Sequence, residues 1–365
     1  VKIKEIIDCI EAFAPISLQE PWDNCGLLTG DLSREAISAL ITLDVTEQVI
    51  DEAIANGNNL IIAHHPFIFS GIKKVNGKNE TERILINAIK NDIAIYAAHT
   101  NIDVVKNGVS WMMARKLGLE KVSTLSKGNG LLKKLVVFVP ESHADAVRNA
   151  LFDAGAGRIG NYGSCSFNSQ GEGTFCGDET TKPFVGQPGE TCFEKEVKIE
   201  TVFPFYLQSK ILSSMKKAHP YEEVAYDIYP IENKHDSIGL GVIGMLGAAI
   251  NASDFLLYAK ETFHCATIRY AGNSNRKVQR IALCGGAGSS LIGEAVKAGA
   301  DVYITGDIKY HQFFESGDQL LLADIGHYES EQFTKELFYE IVTNKFSKFA
   351  IRLSDVQTNP VKYLF

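Results

Sequence analysis

Apolar residues recur along this chain at two spacings. Ile3, Ile6, Ile7, Ile10 and Phe13 share one face of a 3.6-residue period and predict an amphipathic helix over residues 2–13. Continuous apolar runs of strand length follow at 36–44, 60–63, 93–98, 278–284, 301–305 and 320–323. Helical periodicity lies between and after them, through Val49, Ile50 and Ala53, then at 80–91, 108–117, 253–263, 291–298 and 329–342. This alternation predicts an α/β fold in which largely parallel or mixed sheets are covered by helices. The middle of the chain changes character. Strands at 134–139, 165–168, 194–201 and 224–230 and helices at 144–154 and 208–218 follow the β-α-β-β-α-β order of a ferredoxin-like unit. The expected organisation is a discontinuous α/β domain from residues 1–128 and 236–365, with an inserted ferredoxin-like α+β domain at 129–235. Residues 170–190, rich in Gly, Thr and Pro, read as a long exposed excursion of the insert.

Composition narrows the class without naming it. With 365 residues and 45% hydrophobic content the chain can bury more than one core. A formal net charge of −8 argues against a general affinity for nucleic acid or anionic membrane. Seven cysteines, an odd number with no C-x-x-C pair, read as reduced thiols, and no apolar stretch reaches membrane-spanning length. A cytoplasmic location is expected.

The chemistry sits at strand ends. The run 60–63 delivers His64 and His65, and Pro66 then ends the strand, which lets two adjacent imidazoles aim at one place. The run 93–98 gives way to His99, Thr100, Asn101 and Asp103. The run 320–323 is followed by Gly326, with His327 and Glu331 at i and i+4 on one helical face. His64, His65, Asp103, His327 and Glu331 together offer imidazole nitrogen and carboxylate oxygen, delivered to the same edge of a sheet. Such donors suit zinc, iron or manganese, and two carboxylates among five ligands can bridge a pair of ions.

Weaker candidates surround this set. Asp23 and Asn24 are rim candidates, and Asp44, at a strand end, reads as contacting a ligand or capping the following helix, capping being the simpler explanation, beside the N-cap candidate Thr46. His99 is either an orienting donor or an ordinary strand-end histidine. Asp307 and His311, at i and i+4, would share a helical face and are candidates for substrate binding or proton transfer. Gly285–Gly293 offers a glycine-rich turn before a helix, as an anion site or a mere tight turn. Gly239–Gly244 matches G-x-G-x-x-G outside the strand-turn-helix context that a dinucleotide site needs. His219-Pro220-Tyr221-Glu222-Glu223 reads as a turn with a solvated acidic pair.

Five ordered stretches, Pro21–Leu28, Ala63–Pro66, His99–Asp103, Thr305–His311 and Gly326–Glu331, resemble the Nif-three-like family of dinuclear-metal proteins, often labelled GTP cyclohydrolase 1 type 2 homologues. The resemblance implies two divalent metal ions per chain on His64, His65, Asp103, His327 and Glu331, none of them substituted. It also implies a toroidal homohexamer. Residues 129–235 resemble the CutA and nitrogen-regulator-type insert of some members. Metal-dependent hydrolysis of a small molecule or nucleotide is the expected reaction class, with GTP suggested by the label. A non-catalytic regulatory or scaffold hexamer, or a metal-handling protein, is the alternative.

Overall fold

Four short strands, Leu60–Ala63, Ala94–Ala97, Val302–Thr305 and Leu321–Asp324, are buried at every residue. That pattern is the mark of parallel strands covered on both faces. The computed structural model describes residues 1–364. It divides the chain into two compact units, one formed by Val1–Lys127 with the chain from Ser237 onward, the other by Gly128–Asp236.

The first unit contains two mixed sheets. One has the order Gly26–Thr29, Ala94–Ala97, Leu60–Ala63, Ser38–Thr42, Ala350–Leu353. Its last four strands run parallel, and Gly26–Thr29 closes the side antiparallel. The other sheet has the order Arg269–Ala271, Leu321–Asp324, Val302–Thr305, Lys277–Leu283, His235–Asn251, Glu120–Gly128, with a parallel centre made by Lys277–Leu283, Val302–Thr305 and Leu321–Asp324. The strand ends expected on one sheet are thus shared between two, because an apolar run does not encode which sheet it joins. The Gly239–Gly244 stretch lies inside the long His235–Asn251 strand. The N-terminal helix is Ile3–Phe13, with Ile3, Ile6, Ile7 and Ile10 buried.

The second unit carries its elements in β-α-β-β-α-β order. A fully antiparallel sheet, ordered Phe167–Phe175, Cys192–Pro204, Leu132–Pro140, Tyr226–Pro230, is accompanied by helices Ala144–Ala154 and Gln208–Ala218. Leu135, Val137, Val147, Leu151, Ile199, Phe203, Ile211 and Met215 make its core. The excursion predicted for 170–190 is shorter than expected. Strand pairing continues to Phe175 opposite Cys192, although most of this edge strand is exposed and shows no apolar alternation. Its mostly exposed residues leave no apolar periodicity to read. Among the described residues, no helix is long and apolar enough to cross a membrane, and all seven cysteines are free.

Candidate metal centre

Ala63 stands opposite Ala97 in the parallel ladder, so the loops after both strands start at one level. The His64 and His65 amides both donate to the Leu43 carbonyl, at 3.2 and 2.9 Å, which ends regular pairing ahead of Pro66. Both rings then enter one space, their centroids 4.7 Å apart. Asp103 arrives on the short helix Thr100–Asp103. In the other sheet Thr305 stands opposite Asp324, so the loops that carry Asp307 and His327 leave side by side. The helix His327–Glu331 puts its two end residues on one face.

Every histidine of the cluster has its Nδ1 engaged by an acceptor that carries no proton. His64 Nδ1 donates to the Ala98 carbonyl at 2.9 Å, His65 Nδ1 to Asp44 Oδ1 at 2.7 Å, and His327 Nδ1 to Asp307 Oδ2 at 2.7 Å. This fixes ring orientation and turns each Nε2 inward, the usual arrangement behind metal-ligating imidazoles. The Nε2 atoms of His65 and His327 lie 3.0 and 3.1 Å from Glu331 Oε2, and that of His64 lies 3.7 Å from both Glu331 Oε2 and Asp103 Oδ1. His64 Nε2 and Asp103 Oδ1 are buried and have no hydrogen-bond partner, and the buried Glu331 Oε2 meets only imidazole nitrogens. Two groups could each hold a metal ion, His65–His327–Glu331 and His64–Asp103–Glu331, and Glu331 belongs to both. A third, His64–His65–His99, adds the neighbouring histidine.

The electrostatics express the same crowding. Burial works against a charge on His65, yet its bonds to Asp44 and Glu331 prevail and lift it to about 9. The same balance, with Asp307 and Glu331 as partners, lifts His327 to about 11. Asp103 is pushed up by burial and by the charge of Glu331. Glu331 is buried but held well below the usual carboxylate range by the surrounding imidazoles. In the metal-free chain, protons on the imidazoles offset the buried carboxylate; a divalent cation would take their place.

The remaining candidates fall into place differently. Asp44 does not cap the following helix; it holds His65 and accepts a bond from Thr358 Oγ1 at 2.6 Å. Thr46 does the capping, through the Val49 amide. Asp23 is no rim residue. Its side chain is buried and accepts bonds from His99 Nδ1, from the Thr100 amide and hydroxyl, and from Cys25 Sγ. Asn24 donates to the Ile68 carbonyl. The shared helical face expected of Asp307 and His311 does not form. Asp307 has a left-handed φ of 56°, and a 3₁₀ turn begins only at Tyr310, leaving His311 exposed beside the Tyr310 ring. The glycine-rich turn is not an open anion cradle, since the amides of Gly285, Gly286 and Gly288 donate to Ser110, Ser330 and Thr305 hydroxyls. It packs under the cluster instead, where a Cβ on Gly286 would stand 2.2 Å from Glu331 Oε1. His219 bonds the Phe138 carbonyl through Nε2. Sequence reasoning missed the orienting roles of Asp44 and Asp307. A carboxylate just past a neighbouring strand end was the available signal.

A cavity of about 520 Å³ opens on the cluster, bordered by Asp44, His65, Arg269, Asp307, His327 and Tyr363. Its size suits a small molecule.

Fold and cluster together define an α/β protein with His/Glu groups that could bind metal at the carboxyl ends of its parallel strands. The chain belongs to the Duf34/NIF3 (NGG1p interacting factor 3) family, whose profile matches residues 1–360. A Halalkalibacterium halodurans protein named GTP cyclohydrolase 1 type 2 homolog is 41% identical over 364 residues, 98% of either chain. A Bacillus subtilis protein of the same name is 39% identical over 370 residues, covering 99% of this chain and 98% of its own. The crystal structure of a Bacillus cereus protein related to NIF3 superposes with a TM-score of 0.85 at 41% identity, covering 100% of this chain and 99% of that one.

Proposed function

We propose that this chain is a dinuclear divalent-metal protein that acts as a metal-dependent hydrolase. The observation that carries the reading is the buried pair His64 Nε2 and Asp103 Oδ1, neither with a hydrogen-bond partner, packed beside Glu331 Oε2, which only imidazole nitrogens meet. Leaving such groups unsatisfied costs about 1–3 kcal/mol each, and more for charged ones, and a cation between them removes that penalty. His64, His65, Asp103, His327 and Glu331 would hold two ions, and Glu331 is shared by the His65–His327 and His64–Asp103 groups. Imidazole and carboxylate donors fit zinc best, with iron and manganese also suited.

Bound ions would supply Lewis-acid polarisation and a water acidified toward neutrality. The chain's own residues set the geometry around them. Asp44 and Asp307 hold His65 and His327 in the tautomer that presents Nε2. Arg269, bonded to Asp324, places a guanidinium on the cavity wall where an anionic substrate would enter. His311 lies outside the residues lining this cavity and takes no part in the proposed chemistry. The name carried by the relatives makes GTP the first substrate to try. The family resemblance supports assembly into a toroidal homohexamer, for which light scattering should return six times the 40.1 kDa chain mass.

Metal content by mass spectrometry, on wild type beside His64→Ala and Glu331→Ala, tests the site. Two ions per wild-type chain, lost in both variants together with turnover of GTP or phosphoesters, is the expected result. Two ions without turnover would replace the hydrolase with a regulatory, scaffold or metal-handling protein. No bound ion after reloading would overturn the reading.

A further inference from the structure

The Gly128–Asp236 unit holds a cavity of about 950 Å³ that the metal chemistry does not use. One wall is aromatic. The ring centroids of Phe175 and Phe184 lie 5.7 and 6.2 Å from that of Tyr221. Phe184 sits on the Gly- and Pro-rich loop between the strands Phe167–Phe175 and Cys192–Pro204 and is 51% exposed, so it contributes to the cavity wall without being part of the unit's core.

Facing these rings is Glu196, 8% exposed and the one buried carboxylate among the described residues of this unit. Tyr221 Oη donates to Glu196 Oε1 at 3.0 Å, and burial with this carboxylate neighbour raises the phenol. Glu196 Oε2 accepts no bond. It occupies the space that a side chain at Gly173 would fill, 2.3 Å from the Cβ position, on the wall of the same cavity. Glycine in the edge strand therefore makes room for a carboxylate whose second oxygen is left free.

The charge around the cavity is mostly negative. Glu172, Asp178, Glu222 and Glu223 line it with Glu196, against Lys198 alone, and the Lys198 ammonium lies 3.4 Å from Glu200, off the lining. An anion entering here would be repelled, and a neutral apolar molecule would leave Glu196 buried and uncompensated. A cation with a carbon surface answers both the carboxylate and the rings.

We propose that this cavity binds an organic ammonium ion, its charge on Glu196 and its carbon surface against Phe175, Phe184 and Tyr221. The class covers alkylammonium and polyamine ligands, and the volume admits one small molecule.

Isothermal titration of the full chain with spermidine and with tetramethylammonium tests this, on wild type beside Glu196→Gln, Phe184→Ala and, as an exposed acid off the cavity, Glu141→Gln. The expected result is saturable binding of at least one probe, weakened about tenfold or more in both cavity variants. Glu141→Gln should match wild type, and all variants should keep the wild-type melting temperature. Glu196→Gln conserves volume and Phe184 is a surface ring, so both leave the core intact. No saturable binding of either probe, binding that survives either cavity substitution, or equal loss in Glu141→Gln would overturn the proposal.

Discussion

Asp44 contributes none of the proposed ligand atoms, yet it decides which nitrogen His65 presents. Asp44→Ala should weaken metal affinity by about 10–100-fold while the fold persists, measured by competition with a chelating dye. Gly286 sets a steric limit on the same cluster. Its φ of 61° and the 2.2 Å approach of a Cβ to Glu331 Oε1 predict that Gly286→Ala displaces the carboxylate. Metal content should fall and stability should drop by about 1–3 kcal/mol in a denaturant titration; full metal content would remove this account of the glycine turn. The histidines also give a pH signature. In the metal-free chain His65 titrates near 9 and His327 near 11, both above the ordinary value of 6.5. A raised folded value means stabilisation that is complete below about pH 6.5 and is lost as pH climbs through 9 and beyond. Chelator-treated protein should therefore melt at progressively lower temperature from pH 6.5 to 9. Metal-loaded protein, whose imidazoles are already neutral ligands, should not. A rising melting curve for the chelated form would contradict the assignment.

At the scale of elements, Thr46 caps the helix Glu47–Ala55 through the Val49 amide at 3.3 Å. Thr46→Ala should cost about 1 kcal/mol and leave metal content untouched, which separates element stability from site integrity. This cap, the helix Ile3–Phe13, and the strands that end at His64 and His99 were legible from the chain, because each rests on local periodicity or local turn chemistry. The division into two sheets was not. Strand runs such as 60–63 and 321–324 look alike in sequence, and their partners are set by register and by antiparallel closing strands far away in the chain. The same limit hid Asp44 and Asp307. The contacts of Asp44 and Asp307 depend on which loop lies beside them, whereas the i, i+4 spacing of His327 and Glu331 marks them as candidate ligands from the sequence alone. The edge strand predicted at 165–168 runs on to Phe175, and its extension escaped for another reason, since its mostly exposed polar residues carry no alternation.

At the scale of the molecule, the Gly128–Asp236 unit has its own core, and the candidate metal ligands all belong to the other unit. Calorimetry should resolve two transitions, of which chelation lowers only one. Leu151→Ala, at a fully buried position on the helix Ala144–Ala154, should lower the other by about 2–5 kcal/mol and leave metal content unchanged. A single transition moved equally by both treatments would show that the units do not unfold separately.

The proposed ligand set also implies an order in the making of the protein. His64, His65 and Asp103 leave the ribosome first, the whole Gly128–Asp236 unit follows, and Glu331, which completes both ligand groups, emerges about 95 residues after that unit ends. At about 5–20 residues per second, the early imidazoles wait roughly 5–20 s after the inserted unit is finished before their partner exists. If the proposed site binds metal, capture would therefore be one of the last events in the birth of each chain, and a ribosome that stalls beyond residue 236 would hold a completed second unit and only part of the candidate ligand set.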